Sequence, residues 1–175
     1  YAWGDVDQDG DDDLICVRKD TFTNEGKDVN VLFLNEGGVL VESTSEYVQS
    51  SDISGDFGFQ TATNDRDAIL ADINGDGWLD IITAPTLSDY DPKYISHPRV
   101  YINRGESEGA WLGFRYEDAR IPRMNSEVPE AAPRFCSVAA GDIDDDGDLD
   151  LYFGDYDSGP EQLLDFNNRL LKLLL

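Results

Sequence analysis

The chain has 175 residues, 40% hydrophobic and 11% aromatic, which suffices for a packed core and argues against a disordered segment. With 37 acidic against 13 basic residues the formal charge is −24, which excludes nucleic acid and anionic membrane surfaces as partners, because both would repel it. No stretch approaches the roughly 20 apolar residues of a membrane span, the leucine-rich run at 170–175 included, so membrane insertion is excluded as well.

The first predicted strand, Tyr1-Ala2-Trp3, leads into Asp5-Val6-Asp7-Gln8-Asp9-Gly10-Asp11-Asp12-Asp13. A second strand at 14–17 follows, then a polar loop at 18–28, a third strand at 29–34, the turn Asn35-Glu36-Gly37-Gly38 and a fourth strand at 39–41. The connection at 42–66 carries little strand character. The order then repeats: a strand at 68–71, Asp72-Ile73-Asn74-Gly75-Asp76-Gly77-Trp78-Leu79-Asp80, strands at 79–83 and 100–102, the turn Asn103-Arg104-Gly105, and a strand at 114–116. After a second long connection at 117–133 comes a strand at 135–140, then Asp142-Ile143-Asp144-Asp145-Asp146-Gly147-Asp148-Leu149-Asp150 and strands at 149–153 and 170–175. No helix is supported by the pattern anywhere, and the tail reads as strand by its place in the repeat. The chain thus divides into residues 1–66, 67–133 and a partial unit at 134–175, one domain or part of a larger one.

Three copies of D-x-[DN]-x-D-G-x-x-D, offset by 67 and 70 residues, carry the chemistry. Calcium takes six to eight oxygens at about 2.3–2.6 Å. Positions 1, 3, 5 and 9 of the string supply them: Asp5, Asp7, Asp9 and Asp13; Asp72, Asn74, Asp76 and Asp80; Asp142, Asp144, Asp146 and Asp150. Position 7 (Asp11, Trp78 and Asp148) is expected to add a backbone carbonyl. The glycine at position 6 permits the sharp turn through positive φ. An EF-hand would need Glu at position 12 and a helix after it, whereas position 12 is Cys16, Thr83 or Phe153, within a strand-like run. The expectation is three Ca²⁺, each filling the turn between the first two strands of a unit. Three ions would reduce the formal charge to about −18, and without them each loop would crowd like charges, so folding should depend on metal. The second loop, with Asn74 in place of a carboxylate, should bind most weakly.

Four antiparallel strands recurring at this period predict an all-β chain of β-propeller-type blades, about two and a half of them. These strings resemble FG-GAP and VCBS-type repeats, the calcium-loop blades of integrin α-subunit propellers and of many secreted bacterial proteins. The second unit has Phe57-Gly58 upstream of its loop and Thr83-Ala84-Pro85 downstream, close to the FG and GAP marks; the other units lack the GAP mark. The resemblance implies metal ligation at the matched positions and nothing catalytic.

The remaining signals are weaker. His97, the only histidine, reads as a solvent loop residue beside Pro98, so no histidine-based zinc cluster or Ser-His-Asp triad is expected. Cys16 and Cys136 are either bridged or two buried free thiols. Arg104-Gly105-Glu106 reads as a turn. Tyr90, Tyr94 and Tyr156 fall in loops opposite the acidic strings, where aromatics either stack on sugar rings or pack as ordinary loop residues. No signal peptide is seen, so either a leader has been removed or the chain is an excised piece.

These features predict a non-catalytic, secreted or cell-surface module for adhesion, surface-matrix or filament assembly. It would bind a protein or glycan partner, or associate with itself through open strand edges. The alternative is the propeller portion of a secreted glycan-active or hydrolytic enzyme whose catalytic residues lie elsewhere.

Overall fold

The computed structural model describes residues 1–19, 27–86, 91–124 and 134–155, and the backbone of 169–171. The first unit is a four-stranded antiparallel sheet of β1 (Ala2–Gly4), β2 (Asp13–Cys16), β3 (Val31–Asn35) and β4 (Leu40–Glu42), paired in chain order. The second unit repeats that order with longer strands. Here β6 (Asp65–Ala71), β7 (Asp80–Pro85), β8 (Arg99–Asn103) and β11 (Phe114–Tyr116) pair antiparallel. The third contains β12 (Phe135–Gly141), β13 (Asp150–Asp155) and β14 (Arg169–Leu171). The positions read as strand at 172–175 lie outside the described residues.

The burial pattern shows how the three sheets sit against one another. On β3 burial alternates, with Leu32 and Leu34 inside and Val31 and Phe33 half-covered, as for a sheet packed on one face. Every residue of β7 and β8 is buried, because the second sheet is covered on both faces. One core joins Ile15 and Leu32 of the first sheet to Ile81, Tyr101 and Tyr116 of the second. The other joins Ile82, Val100 and Ile102 to Phe135, Leu151 and Phe153 of the third. Successive residues of β7 therefore point into different cores, which follows from the two-residue period of a strand.

The connections hold more structure than their composition suggests. The 42–66 segment contains a four-residue helical turn α1 (Thr44–Tyr47) and a short strand β5 (Ser50–Ser51), which lies parallel to β11 and gives the second sheet a fifth member. A second turn of helix, α2 (Lys93–Ser96), precedes β8. A small hairpin of β9 (Glu106–Ser107) and β10 (Ala110–Trp111) is inserted between β8 and β11, so Arg104-Gly105-Glu106 enters a hairpin and is not a plain turn. The expectation of no helix and no strand in these stretches is thus corrected. The pairings are two or three residues long and depend on distant partners, which no local period encodes.

His97 is also corrected. It is buried at 1% exposure, its Nε2 lies 2.8 Å from the Met124 carbonyl and its Nδ1 lies 3.1 Å from Ser96 Oγ. Burial pulls its pKa below the usual imidazole value, outweighing the Met124 carbonyl. Cys16 and Cys136 are free thiols, both half-buried.

Candidate functional site: three acidic hairpin loops

Each acidic string forms the turn between the first two strands of its unit, and the three loops share one hydrogen-bond plan. The carboxylate at position 1 accepts from the amide at position 6: Gly10 to Asp5 at 3.1 Å, Gly77 to Asp72 at 2.8 Å, Gly147 to Asp142 at 2.9 Å. The carboxylate at position 5 accepts from position 7: Asp11 to Asp9 at 3.0 Å, Trp78 to Asp76 at 2.9 Å, Asp148 to Asp146 at 3.1 Å. The carboxylate at position 9 reaches back to position 2: Val6 to Asp13 at 2.9 Å, Ile73 to Asp80 at 3.1 Å, Ile143 to Asp150 at 3.2 Å. Backbone donors therefore fix one oxygen of each of these carboxylates before any ion is considered.

The turn uses two left-handed residues per loop. Position 6 is glycine throughout, at φ of 101° in Gly10, 89° in Gly77 and 95° in Gly147. Position 4 is left-handed as well: Gln8 at 60°, Gly75 at 70° and Asp145 at 61°. The sequence reading found the first and missed the second, although Gly75 was its one visible sign.

A second missed element is the asparagine that ends the third strand. The amides of Asn35 and Asn103 donate to the other oxygen of Asp13 and Asp80, at 2.9 and 2.8 Å. Their side-chain amides donate to the position-8 carbonyls, Asn35 to Asp12 at 3.1 Å and Asn103 to Leu79 at 3.1 Å. Position 9 thus ties loop to sheet, a role beyond the ligation expected of it. The repeated Asn-x-Gly was the available signal, and it looked like a turn alone. Asn103 also donates to the Val6 carbonyl at 2.7 Å, and Gln8 donates to the Gly77 carbonyl at 2.9 Å, joining the first loop to the second unit.

The electrostatics are those of acids gathered close together. Ligand oxygens of Asp5, Asp7 and Asp13 lie within 4.8 Å of one another, as do those of Asp142, Asp144 and Asp146. In the second loop Asn74 occupies the third position, and its amide donates to Asp76 at 2.9 Å. Desolvation, then the charges of Asp13 and Asp9, push the Asp7 carboxyl up to about 6. Burial, assisted by Asp76 and Asp72, pushes Asp80 up to about 7 against the pull of the Asn103 and Ile73 amides. Asp13 is raised by burial as well. Among the described residues Asp5 Oδ1 is buried with no hydrogen-bond partner. A buried acceptor facing two carboxylates is unfavourable as it stands and fits a hard cation, so the donor set passes the test of the expected metal.

The comparisons with known proteins agree with this architecture. The family model for FG-GAP-like repeats matches residues 5–83 and 72–153. The chain belongs to the FG-GAP-like repeat family. Both matches run from the first aspartate of one loop into the strand after the next loop, so each takes in two of the acidic strings. No curated protein and no solved structure matches.

The FG-GAP marks of the second unit have structural reasons. Gly58 has φ of +58°, and a Cβ there would lie 2.2 Å from the Val48 carbonyl oxygen, so glycine is required. Its own carbonyl faces Arg99 at 3.4 Å. Thr83, Ala84 and Pro85 close β7, where Thr83 pairs with Arg99 and Pro85 with Asp65. Arg99 is fully buried, donates to both oxygens of Asp56 at 3.0 and 2.9 Å, and lies 3.8 Å from the Tyr116 ring centroid. Of the loop tyrosines, Tyr94 packs half-buried against the first core, while Tyr90 and Tyr156 lie outside the described residues.

Proposed function

We propose that this FG-GAP chain is a calcium-stabilised, non-catalytic binding module of propeller type that works outside the cell. The observation carrying the reading is the orphaned Asp5 Oδ1 beside Asp7 and Asp13, within a hydrogen-bond plan repeated three times. Asp5, Asp7, Asp9 and Asp13 would hold one ion; Asp72, Asn74, Asp76 and Asp80 a second; Asp142, Asp144, Asp146 and Asp150 a third. Carbonyls of Asp11, Trp78 and Asp148 would complete them. The ion supplies positive charge to carboxylates that repel one another, and so stiffens the hairpin. Carboxylate loops of this type fill at the calcium levels found outside cells, about 10⁻⁴–10⁻³ M for extracellular modules, which favours a secreted or surface location. Among the described residues no helix is long and apolar enough to cross a membrane. His97 has both ring nitrogens engaged within the fold, which leaves it no role as an acid or base at an open surface.

Calorimetric titration of the chelator-treated chain with calcium tests the metal reading. The expected result is three ions per chain, with the second loop weakest. Absence of heat at millimolar calcium would overturn it. Terbium luminescence excited through tryptophan should report the second loop, and Trp78→Phe should remove that signal. Binding to immobilised glycans and matrix proteins, in calcium and in chelator, then tests the partner class.

A further inference from the structure

We infer that the first and second acidic loops bind calcium cooperatively, each raising the affinity of the other, an inference that rests on the calcium reading proposed above. Two hydrogen-bonded paths join the carboxylates of one loop to those of the other. The first path is buried. Asp13 Oδ2 accepts from the Val6 amide at 2.9 Å, the Val6 carbonyl accepts from Asn103 Nδ2 at 2.7 Å, and the Asn103 amide donates to Asp80 Oδ1 at 2.8 Å. The position-9 carboxylates of the two loops are thus held at opposite ends of one run of bonds. The second path lies at the surface. Gln8, set between Asp7 and Asp9, donates from Nε2 to the Gly77 carbonyl at 2.9 Å, and the Gly77 amide donates to Asp72 Oδ2 at 2.8 Å. Packing follows the same seam. Leu79 of the second loop lies against Gly4, next to Asp5, so closely that a Cβ on Gly4 would be 3.1 Å from its Cδ1.

These contacts give the coupling its sign. Filling one loop relieves its like charges and holds Val6, Gln8, Gly77 or Asn103 in place, so the other loop finds part of its framework already ordered. Direct repulsion between two bound ions acts in the opposite sense, so a positive coupling has to travel through the contacts. Toward the third loop the surface path is not repeated, because Gly75 stands where the first loop has Gln8 and has no side chain to donate.

Calcium titration of the chelator-treated 175-residue chain, followed by two-dimensional NMR, tests the proposal. The amides of Gly10, Gly77 and Gly147 report the first, second and third loops. Asp9→Ala silences the first loop and Asp76→Ala the second, and neither residue makes any of the bonds of the two paths. Asp9→Ala should raise the calcium midpoint of Gly77 about tenfold, and Asp76→Ala should raise that of Gly10 by about the same factor, because coupling is reciprocal. Gly147 should move less. Gln8→Gly places at position 4 the residue that the second loop uses there, and removes the donor without straining the turn. In that background the factor should shrink about twofold or more, and adding Asn103→Ala should bring it near one. Circular dichroism checks folding, and if Asn103→Ala does not fold, Gln8→Gly decides alone. Midpoints that stay or fall when the other loop is silenced would overturn the coupling and leave the three sites standing. A factor unchanged by Gln8→Gly, or equal movement of all three glycines, would overturn its route. Glycine amides that do not respond to millimolar calcium at all would overturn the coupling together with the calcium reading.

Discussion

Asp56 and Asp80 are both buried, at 5% and 0% exposure, yet their surroundings differ in kind. Asp56 faces the guanidinium of Arg99, which itself lies against Tyr116 and reaches the Tyr94 carbonyl. Asp80 faces backbone amides from Ile73 and Asn103 and the negative charges of Asp76 and Asp72. One acid is compensated by a cation encoded forty-three residues away in the sequence; the other faces amides and carboxylates, and the proposed calcium would be its countercharge. The first arrangement carries its own countercharge and needs no ion from the medium. On the proposed function the second would make local order depend on the medium, and the two can be separated experimentally.

The largest effect should come from removing the internal cation. Arg99→Met leaves Asp56 buried and unpaired and should cost about 3–5 kcal/mol in urea unfolding, equally in calcium and in chelator. Adding Asp56→Leu should recover much of the loss. A loss confined to calcium would mean that the two regions are not independent.

Chelation should come next. With Kd of about 10⁻⁴–10⁻³ M and about 1 mM calcium, each site contributes about 0.4–1.4 kcal/mol and three sites about 1–4 kcal/mol, so the melting temperature should fall clearly when calcium is withdrawn. Asp146→Ala should lower it in calcium and leave it nearly unchanged in chelator. Equal losses in both would assign Asp146 to the turn alone, through its bond to the Asp148 amide.

A pH series sharpens the contrast. Asp7 and Asp80 in the folded, metal-free chain titrate near about 6 and about 7, above the ordinary 3.8. A folded pKa above the unfolded one means that the folded state holds extra protons between those values. Stability in chelator should therefore fall as the pH rises from about 4 to about 7. Calcium should flatten that slope, and calcium affinity should weaken as the solution is acidified. A metal-free chain that gains stability across the same window would contradict the assignment of these carboxyls.

The smallest effect belongs to the turn. Asp145→Gly relieves a left-handed residue at 61° and should raise stability by up to about 1 kcal/mol, as seen in the melting temperature with or without calcium.

The loops and the inner strands were legible in the sequence because both are local. A nine-residue string states its own turn, and the apolar run at 31–34 states a strand, though not which of its faces is buried. Their recurrence at 67 and 70 residues then placed the corresponding strands of the later units. The unread parts are all long-range. Nothing near Arg99 announces Asp56, and two residues of β5 become a strand only because Tyr116 and Arg115 lie beside them. His97 beside Pro98 looks like loop until the Met124 carbonyl arrives. Asp13 and Asp80 were read as ligands alone; their second bond, to Asn35 and Asn103, needs the third strand in place.

The bond from Asn103 to the Val6 carbonyl spans 97 residues. A chain emerging from the ribosome would present its first acidic loop long before the residue that completes it. Until β8 is made, the first sheet has neither its neighbour nor this donor, and its acidic turn waits half-built. The first acidic loop is thus completed only when most of the second unit has been made, and a nascent chain stopped before Asn103 would keep an exposed apolar face open to chaperones and to other nascent copies.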